Sequence, residues 1–310
     1  MKTVFGYTYI PASHLKVTDD DAADFLQSQF SNDLRPFDAG NCTYGLWLDV
    51  KGRVIADSMV LCEERNHFLV LSEHSPASTI TRKLENHIIA DDVIIESMPP
   101  GAAIALVGDR LEDILDSISY QAPANGSFTR VDDVYLFPGR RSLKPSFELW
   151  SGVASKIENL MARLTELGVE FVSIEKIQFM RMAAGVPLIP DEIGPADLPG
   201  EGAMVGSSVS LTKGCYLGQE VVARMHNVGR AQRALFRMTG SGIAPGCPLP
   251  LYDSKSKNVG ELRSAYASEN NWTGVALLKT RFVEPGIYLK HEFGNAKVES
   301  LFAMDKDKVG

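Results

Sequence analysis

The chain has 310 residues, of which 45% are hydrophobic and 23% are charged, and its formal net charge is −8. Because this length exceeds what one hydrophobic core usually supports, we expect two or three globular domains. The acidic balance argues against a general nucleic-acid or membrane binder, and no run of about 18 apolar residues predicts a bilayer-spanning helix.

Residues 1–97 predict a unit of mixed α and β structure. Ser75 and Pro76 begin a helix in which Ile80, Leu84 and Ile88 form one apolar stripe. The strands before it have tight connections, as is typical of an antiparallel sheet with a helix on one face. The predicted elements are a strand at 15–17, a helix at about 20–30, strands at 43–49, 53–62 and 68–71, the helix from 76, and a strand at 93–96.

A second α+β unit follows, up to Gly185. Gly168 and Gly185 each stand where a helix is predicted to end, as expected of residues that adopt the left-handed conformation. The predicted elements are strands at 103–107, 134–137 and 147–150 and helices at about 109–118, 154–167 and 173–184. Residues 186–206 contain four prolines and are predicted to be irregular, and so long an irregular segment is often functional.

The last part of the chain predicts a small barrel. Helical periodicity disappears after Arg233, and short β-like runs follow, separated by Gly, Pro, Asn and Ser clusters. Such spacing is typical of an antiparallel β-barrel. The runs are residues 234–238, 248–252, 259–267, 274–278, 287–290 and 297–302.

Residues 213–220, Lys-Gly-Cys-Tyr-Leu-Gly-Gln-Glu, are the most distinctive stretch, and we call them the signature loop. Two glycines bracket Cys215, so the backbone can turn sharply and present the thiol outward, near a helix predicted from Gln219. Backbone N–H groups at a helix start favour anions and a thiolate. Residues 213–237 also concentrate positive charge, which suggests an anionic ligand or partner. The cations are Lys213, Arg224, Arg230, Arg233 and Arg237, against the single acid Glu220.

Each of these features also has an ordinary structural explanation. A cysteine between glycines is commonly a small tolerated residue, and a short cationic run is commonly a solvated face. His226, in the same run, would form a nucleophile arrangement if its ring met Cys215 in space. A histidine after a helix also commonly supports the C-terminal end of that helix.

The four cysteines show no Cys-x-x-Cys spacing and no close pairing with histidine, so the sequence predicts no metal or iron–sulfur site of the chain's own. Cys42 and Cys62 fall in predicted strands and are expected to be small core residues. No targeting segment is visible before Pro11, so we expect a cytoplasmic protein with reduced thiols.

The signature loop resembles the K-G-C-Y-x-G-Q-E motif of the YgfZ family, folate-binding proteins related to the T-protein (aminomethyltransferase) of the glycine cleavage system. Further blocks agree in the family's order, so the resemblance spans most of the chain. They are residues 25–33 (F-L-Q-x-Q-x-x-N-D), 48–57 (L-D-x-K-G-R-x-x-x-D), 181–187, 199–202 and 260–278.

The resemblance implies an α+β fold of three domains in a ring around a central hole, where tetrahydrofolate or a one-carbon derivative binds. We accordingly assign residues 1–48 with 142–232 to the domain that carries the signature loop, 49–141 to an α+β domain with an antiparallel sheet, and 233–310 to the barrel. The implied role is support of iron–sulfur enzymes, including tRNA-methylthiolating ones. The expected partners are folate and those enzymes or their assembly factors, without membrane or direct nucleic-acid binding.

Within that fold, Cys215 is the expected working thiol. A folate's glutamyl tail needs cations, and its pterin needs a flat polar slot. The candidate contacts are Arg181 and Lys213 for the tail or carbonyl groups, Glu201, Tyr216 and Gln219 near the pterin, and Gly214, Gly218 and Glu220 as the frame of the signature loop.

Two departures from the T-protein pattern bear on the reaction. Ala183 stands where the T-protein relatives usually carry a Glu that holds the pterin. No Asp falls between Asp57 and Asp91, where those transferases carry a catalytic Asp. We therefore favour a folate-binding accessory protein over the alternative, a folate-dependent aminomethyl or one-carbon transferase. A tRNA-binding role would rest on the cationic run alone.

Overall fold

The computed structural model describes residues 3–228 and 231–303, apart from the side chains of residues 226–228. These residues form two open sheets, a closed barrel and six α-helices. The strands are β1 (Phe5–Tyr9), β2 (Ser13–Thr18), β3 (Cys42–Leu48), β4 (Val54–Glu64), β5 (His67–Ser72), β6 (Ile94–Ser97), β7 (Ala102–Val107), β8 (Thr129–Val131), β9 (Val134–Pro138), β10 (Ser146–Ser151), β11 (Glu170–Phe171), β12 (Arg233–Ser241), β13 (Leu249–Tyr252), β14 (Asn258–Ser268), β15 (Asn271–Lys279), β16 (Tyr288–His291) and β17 (Gly294–Leu301). The helices are α1 (Ala22–Gln29), α2 (Ala77–Glu85), α3 (Leu111–Ser117), α4 (Ala154–Glu166), α5 (Ile174–Ala184) and α6 (Gln219–Val228).

Strands β3, β4, β5, β2 and β6 form the five-stranded sheet, in that order and antiparallel throughout. Helices α1 and α2 pack on it. Ile80 and Leu84 of α2 are completely buried, while Ile88 lies beyond the end of the helix and packs at the edge of the core. The apolar stripe predicted for α2 is therefore its buried face.

Strands β11, β1, β7, β10, β9 and β8 form the six-stranded sheet, in which the pair of β1 with β11 is parallel. Helix α4 lies against β7 and β10. Its residues Leu160 and Leu164 share a core with Ile104 and Leu149 of those two strands. The period of apolar residues in α4 thus matches the face it buries.

The two open sheets divide the chain differently from the predicted domains. The five-stranded sheet is built from residues 13–97, and the six-stranded sheet from residues 5–9 and 102–171. The predicted boundary after residue 48 falls inside the hairpin of β3 with β4, and the boundary after residue 141 separates β9 from β10, which also pair. Because paired strands share one sheet, the chain instead changes sheets near residues 10 and 100.

Residues 233–301 form a closed antiparallel barrel in the order β12, β15, β14, β13, β16, β17. Each of the six predicted runs overlaps one of these strands. Met238, Leu251, Leu262 and Val298 belong to one buried cluster in the barrel. The predicted α+β fold with a C-terminal antiparallel barrel is confirmed.

Residues 185–218 connect α5 to α6 and are irregular apart from a 3₁₀ turn. Gly185 ends α5 in the left-handed conformation, with φ of +69°. Ile193 in this connection packs with Leu48 of β3 and Leu277 of β15. The connection therefore fills the space between the five-stranded sheet and the barrel.

Candidate functional site

The signature loop is irregular up to Gly218, after which α6 begins at Gln219. Gly218 has φ of +86°, and a Cβ added to it would lie 2.7 Å from the carbonyl oxygen of Asp49 and 2.9 Å from the Cα of Gly52. Gly52, at φ +70°, is the turn glycine between β3 and β4. The motifs at residues 48–57 and 213–220 therefore pack glycine against glycine, where a side chain does not fit.

Cys215 is exposed and lies on the irregular part of the signature loop. The outward position predicted from its flanking glycines is the one observed. Around it, Gly214 has open space on its Cβ side and Glu220 is exposed. Cys42 and Cys62 are buried, as expected of core residues.

Lys213 is buried, and its Nζ donates hydrogen bonds to the carbonyls of Gln27 (2.7 Å), Phe30 (2.8 Å) and Asn32 (2.8 Å). These carbonyls lie at and just after the C-terminal end of α1, where backbone acceptors lack helical partners. Burial lowers the pKa of Lys213 to about 8. All three ammonium protons have protein partners, so Lys213 ties the signature loop to α1, and its contact with a folate tail stays a prediction.

Arg181, the other predicted tail contact, is also engaged within the protein. It is buried and forms a two-pronged ion pair with the fully buried Glu192, with both N–O distances at 2.8 Å. Its Nε donates to Gln178, and its Nη1 donates to the Val186 carbonyl. Arg181 therefore fixes the end of α5 to the following connection, and its role in holding a folate tail stays a prediction.

Glu201, a predicted contact of the pterin, also has its partners within the protein. Its carboxylate accepts from Nε and Nη2 of Arg233 at 2.8 and 2.9 Å and from the Leu198 N–H at 2.9 Å. Arg237, from the same cationic run, donates to the carbonyls of Met182 and Ala183 at the end of α5. The positive charge predicted for this run is thus partly compensated, because Arg233 pairs with a carboxylate and Arg237 binds carbonyls at a helix end.

Tyr216 and Gln219 complete the predicted pterin contacts. Tyr216 is buried beside Leu46 and Val222, which raises the pKa of its phenol to about 12. Gln219 is half-buried, and its Nε2 lies 3.4 Å from the Lys213 carbonyl. Gln219 contacts the backbone of the signature loop, whereas the buried Tyr216 hydroxyl has no hydrogen-bond partner among the described residues, so the assignment of both to the pterin stays a prediction.

Two predictions fall on residues that the structure does not describe. Arg230 and the side chain of His226 lie outside the described residues. The pairing of Cys215 with His226 therefore stays a prediction.

A cavity of about 790 Å³, including its open mouth, lies where the two open sheets meet residues 186–189. Aromatic residues such as Tyr9 and Trp150 form part of its wall. Its charged wall residues are Asp57, Glu73, Arg140, Arg141, Glu148 and Arg181. Arg181 is the one predicted contact among the described wall residues.

Arg141 joins two carboxylates in this wall, with N–O distances of 2.6 Å to Glu73 and 2.7 Å to Glu148. Burial acts to raise the pKa of Glu73, but Arg141 and the adjacent His74 outweigh it and lower this pKa to about 2. Burial raises the pKa of Glu148 in spite of the same arginine. Glu73 therefore carries a negative charge in the cavity at neutral pH.

A second polar group is built around Asp57. Its Oδ1 accepts from the hydroxyls of Ser72 (2.9 Å) and Ser75 (2.7 Å), and its Oδ2 accepts from the Tyr44 hydroxyl (2.9 Å). Burial and then Asp57 raise the pKa of Tyr44, so the phenol remains a donor. The guanidinium carbon of Arg140 lies 3.5 Å from the centroid of the Tyr44 ring.

Several residues of this cavity wall stand out in the sequence, although they are not among the predicted ligand contacts. Asp57 closes the block at residues 48–57, and Arg140 and Arg141 are a basic pair at the turn between two predicted strands. Glu73 lies in the segment where a T-protein acid was sought as Asp. With aromatic walls, an ionised acceptor and cations, the cavity fits the chemistry of tetrahydrofolate.

Comparisons with known proteins agree with this geometry. The GCVT N-terminal domain family matches residues 11–135. The tRNA-modifying protein YgfZ of Hamiltonella defensa subsp. Acyrthosiphon pisum (strain 5AT) is 24% identical over 302 residues, which cover 96% of this chain and 85% of the relative. The aminomethyltransferase of Lysinibacillus sphaericus (strain C3-41) is 25% identical, over 87% of this chain and 77% of the relative. The crystal structure of the glycine cleavage system aminomethyltransferase T from Bartonella henselae has a TM-score of 0.80 at 14% identity, over 96% of this chain and 86% of that chain.

The chain thus has the aminomethyltransferase fold, with two open sheets and a C-terminal barrel. Within this class, the chain is similar over most of its length to YgfZ-type proteins and related to the aminomethyltransferase T-protein, and the resemblance predicted from the signature loop is confirmed. None of the helices in residues 3–228 and 231–303 combines the length and the apolar character that crossing a bilayer requires.

Proposed function

We propose that this chain is a cytoplasmic, tetrahydrofolate-binding accessory protein that supports the assembly, repair or activity of iron–sulfur enzymes, tRNA-methylthiolating ones among them. The observation that carries the proposal is the cavity between the two open sheets. Its aromatic residues can stack on a pterin, and the ionised Glu73 can accept hydrogen bonds from ring N–H groups. The YgfZ-type relatives, named as tRNA-modifying proteins, support the wider role.

Cys215 is the proposed working thiol, and it acts on a partner rather than on the bound folate. None of the described residues of the signature loop lies in the wall of the cavity, and Cys215 is exposed. An exposed sulfur on a glycine-flanked turn is accessible to another protein. We therefore propose iron–sulfur enzymes or their assembly factors as the molecules that meet it.

Equilibrium titration of the full chain with tetrahydrofolate tests the ligand. We expect saturable binding that Glu73→Gln weakens about tenfold, because a charge-assisted hydrogen bond is replaced by a neutral one. Glu64→Gln is the matched control, since this carboxylate is exposed and outside the described wall, and it should leave the affinity unchanged. No saturation of the wild-type chain at millimolar ligand would refute folate binding.

Complementation of a strain that lacks its own homologue tests the thiol. Cys215→Ala should abolish complementation while folding and tetrahydrofolate binding remain intact. Cys247→Ala is the matched control, because Cys247 is also an exposed free thiol. Full rescue by Cys215→Ala would remove this thiol from the proposed function.

An aminomethyl or one-carbon transferase is the second candidate, because Glu73 places an acid in the cavity although the segment has no Asp. Arg141 holds that carboxylate at 2.6 Å and keeps its pKa near 2, which suits a general base poorly at neutral pH. This observation favours the accessory role. Formation of methylene-tetrahydrofolate from an aminomethyl donor would establish the transferase, and no turnover at high protein concentration would dismiss it.

A further inference from the structure

Among the cations described in the cavity wall, Arg140 differs from the others in having no carboxylate partner. Arg181 is paired with Glu192, and Arg141 is paired with Glu73 and Glu148. Within residues 3–228 and 231–303, no Asp or Glu oxygen forms an ion pair with Arg140, and its Nη2 donates to the Ser208 hydroxyl at 3.5 Å. Arg140 is half-buried, so its positive charge is only partly solvated.

The Tyr44 ring holds this guanidinium in place, because the Cζ of Arg140 lies over the ring, 3.5 Å from its centroid. The ring is itself held, because its hydroxyl donates to Asp57, which the hydroxyls of Ser72 and Ser75 hold in turn. An arginine that lies on an aromatic face keeps the N–H groups along its edge available. Two parallel N–H groups in a fixed plane match a carboxylate or a phosphate.

We propose that Arg140, lying on Tyr44, is the seat for an anionic group of the ligand in this cavity. The inference rests on the proposed function for the ligand's identity: with tetrahydrofolate, the anion is a glutamyl carboxylate. Arg140 thereby takes the role that sequence reasoning gave to Lys213 and Arg181, whose donors are engaged within the protein. Asp57 positions the Tyr44 ring, because its Oδ2 accepts from the Tyr44 hydroxyl.

The test compares tetrahydrofolate with its diamide, in which both glutamyl carboxylates are amides, by titration of the full chain. We expect the wild type to prefer tetrahydrofolate by roughly 10- to 100-fold, the range for a charge-assisted pair. Arg140→Gln should abolish this preference while leaving the affinity for the diamide unchanged, and Arg140→Lys should keep part of it. Arg110→Gln, which removes an exposed arginine outside the described wall, is the matched control. A preference retained in Arg140→Gln would overturn the proposal.

A separate arm distinguishes failure of this inference from failure of the proposed function. If neither folate binds the wild type, the proposed function fails, and calorimetry with inorganic phosphate and free glutamate then tests the seat itself. Binding of either anion to the wild type that is lost in Arg140→Gln would support an anion seat for another ligand. If neither phosphate nor glutamate binds the wild type, the proposed anion site at Arg140 is overturned as well. Thermal denaturation of each variant verifies that it is folded.

Discussion

Lys213 and Lys83 are two buried lysines with different surroundings. Lys213 donates to three carbonyls, whereas Lys83 of α2 has one described acceptor, the Gln29 Oε1 at 2.5 Å. Burial lowers the pKa of Lys213 to about 8 and that of Lys83 to about 7. An ammonium that is desolvated with one neutral partner costs free energy that additional hydrogen bonds would offset.

This difference predicts that replacement of each lysine by methionine changes the free energy of unfolding differently. Lys213→Met should reduce the free energy of unfolding by on the order of 3 kcal/mol, because it leaves three acceptors unpaired. Lys83→Met should leave it unchanged or increase it by about 1 kcal/mol or more, as replacement of a poorly compensated buried charge often does. Urea denaturation of the two variants measures both effects. A larger loss for Lys83→Met than for Lys213→Met would contradict the argument.

The lowered pKa of Lys83 also predicts how stability depends on pH. Between about 7, its pKa in the folded chain, and 10.5, its ordinary value, the unfolded chain binds more protons than the folded chain. Stability from this group therefore rises with pH across that window. The wild type minus Lys83→Met difference in unfolding free energy should shift in favour of the wild type between pH 7 and pH 9. A difference that is independent of pH would refute the assignment.

At the scale of elements, the contact of the signature loop with the β3–β4 hairpin depends on Gly218. We expect Gly218→Ala to destabilise the chain by about 2 kcal/mol or more, because it combines a left-handed φ with a clash against the backbone of Asp49. Gly214→Ala should change stability by about 0.5 kcal/mol or less, since nothing lies within 4 Å of its added Cβ. Chemical denaturation compares the two glycines, and equal effects would show that the hairpin does not restrain the loop.

Periodicity made most elements predictable, because local sequence and burial agree along them. The stripe Ile80 and Leu84 and the six barrel runs are examples. Strand β1 is not among the predicted elements, since it pairs with β7 about one hundred residues away. The short strands β8 and β11, of three and two residues, carry too little pattern to be recognised.

Ligand contacts were harder to predict than elements, because a charged side chain's role depends on its partner. Lys213 and Arg181 have the right charge for a folate tail, but carbonyls at the end of α1 engage Lys213 and the carboxylate of Glu192 engages Arg181. Arg140 has the same charge and no described carboxylate partner, which only the assembled cavity reveals. The outward position of Cys215, in contrast, was predictable from the glycines on either side of it, Gly214 and Gly218.

At the scale of the whole molecule, Glu192 joins α5 to the barrel. It pairs with Arg181, accepts from the Leu188 N–H at 2.8 Å and accepts from the hydroxyl of Ser264 in β14 at 2.5 Å. Because Glu192 is fully buried, its charge depends on Arg181 for compensation. The ion pair and the Ser264 hydrogen bond therefore hold α5, the connection that follows it and the barrel together.

Arg181→Met should reduce the free energy of unfolding by about 3–5 kcal/mol, the cost of leaving a buried charge without its partner. The double variant Arg181→Met with Glu192→Gln should recover much of this loss, because the remaining group is neutral, its amide oxygen can accept from the Leu188 N–H, and its amide nitrogen can donate to the Ser264 hydroxyl. Arg110→Met breaks an exposed pair and serves as the control, with an expected change of about 0.5 kcal/mol or less. A double-mutant cycle by urea denaturation measures the coupling, and additive losses would contradict it.

The position of Cys215 outside the described cavity wall has a statistical consequence. Modification of the Cys215 sulfur and occupation of the cavity are then independent events. The molecule therefore has four forms, in which Cys215 is free or modified and the cavity is empty or occupied. In native mass spectrometry of a half-alkylated, half-loaded sample, the abundance of the doubly occupied form should equal the product of the two single occupancies. On the proposed function, occupancy of the cavity and modification of the thiol are then two independent signals carried by one molecule.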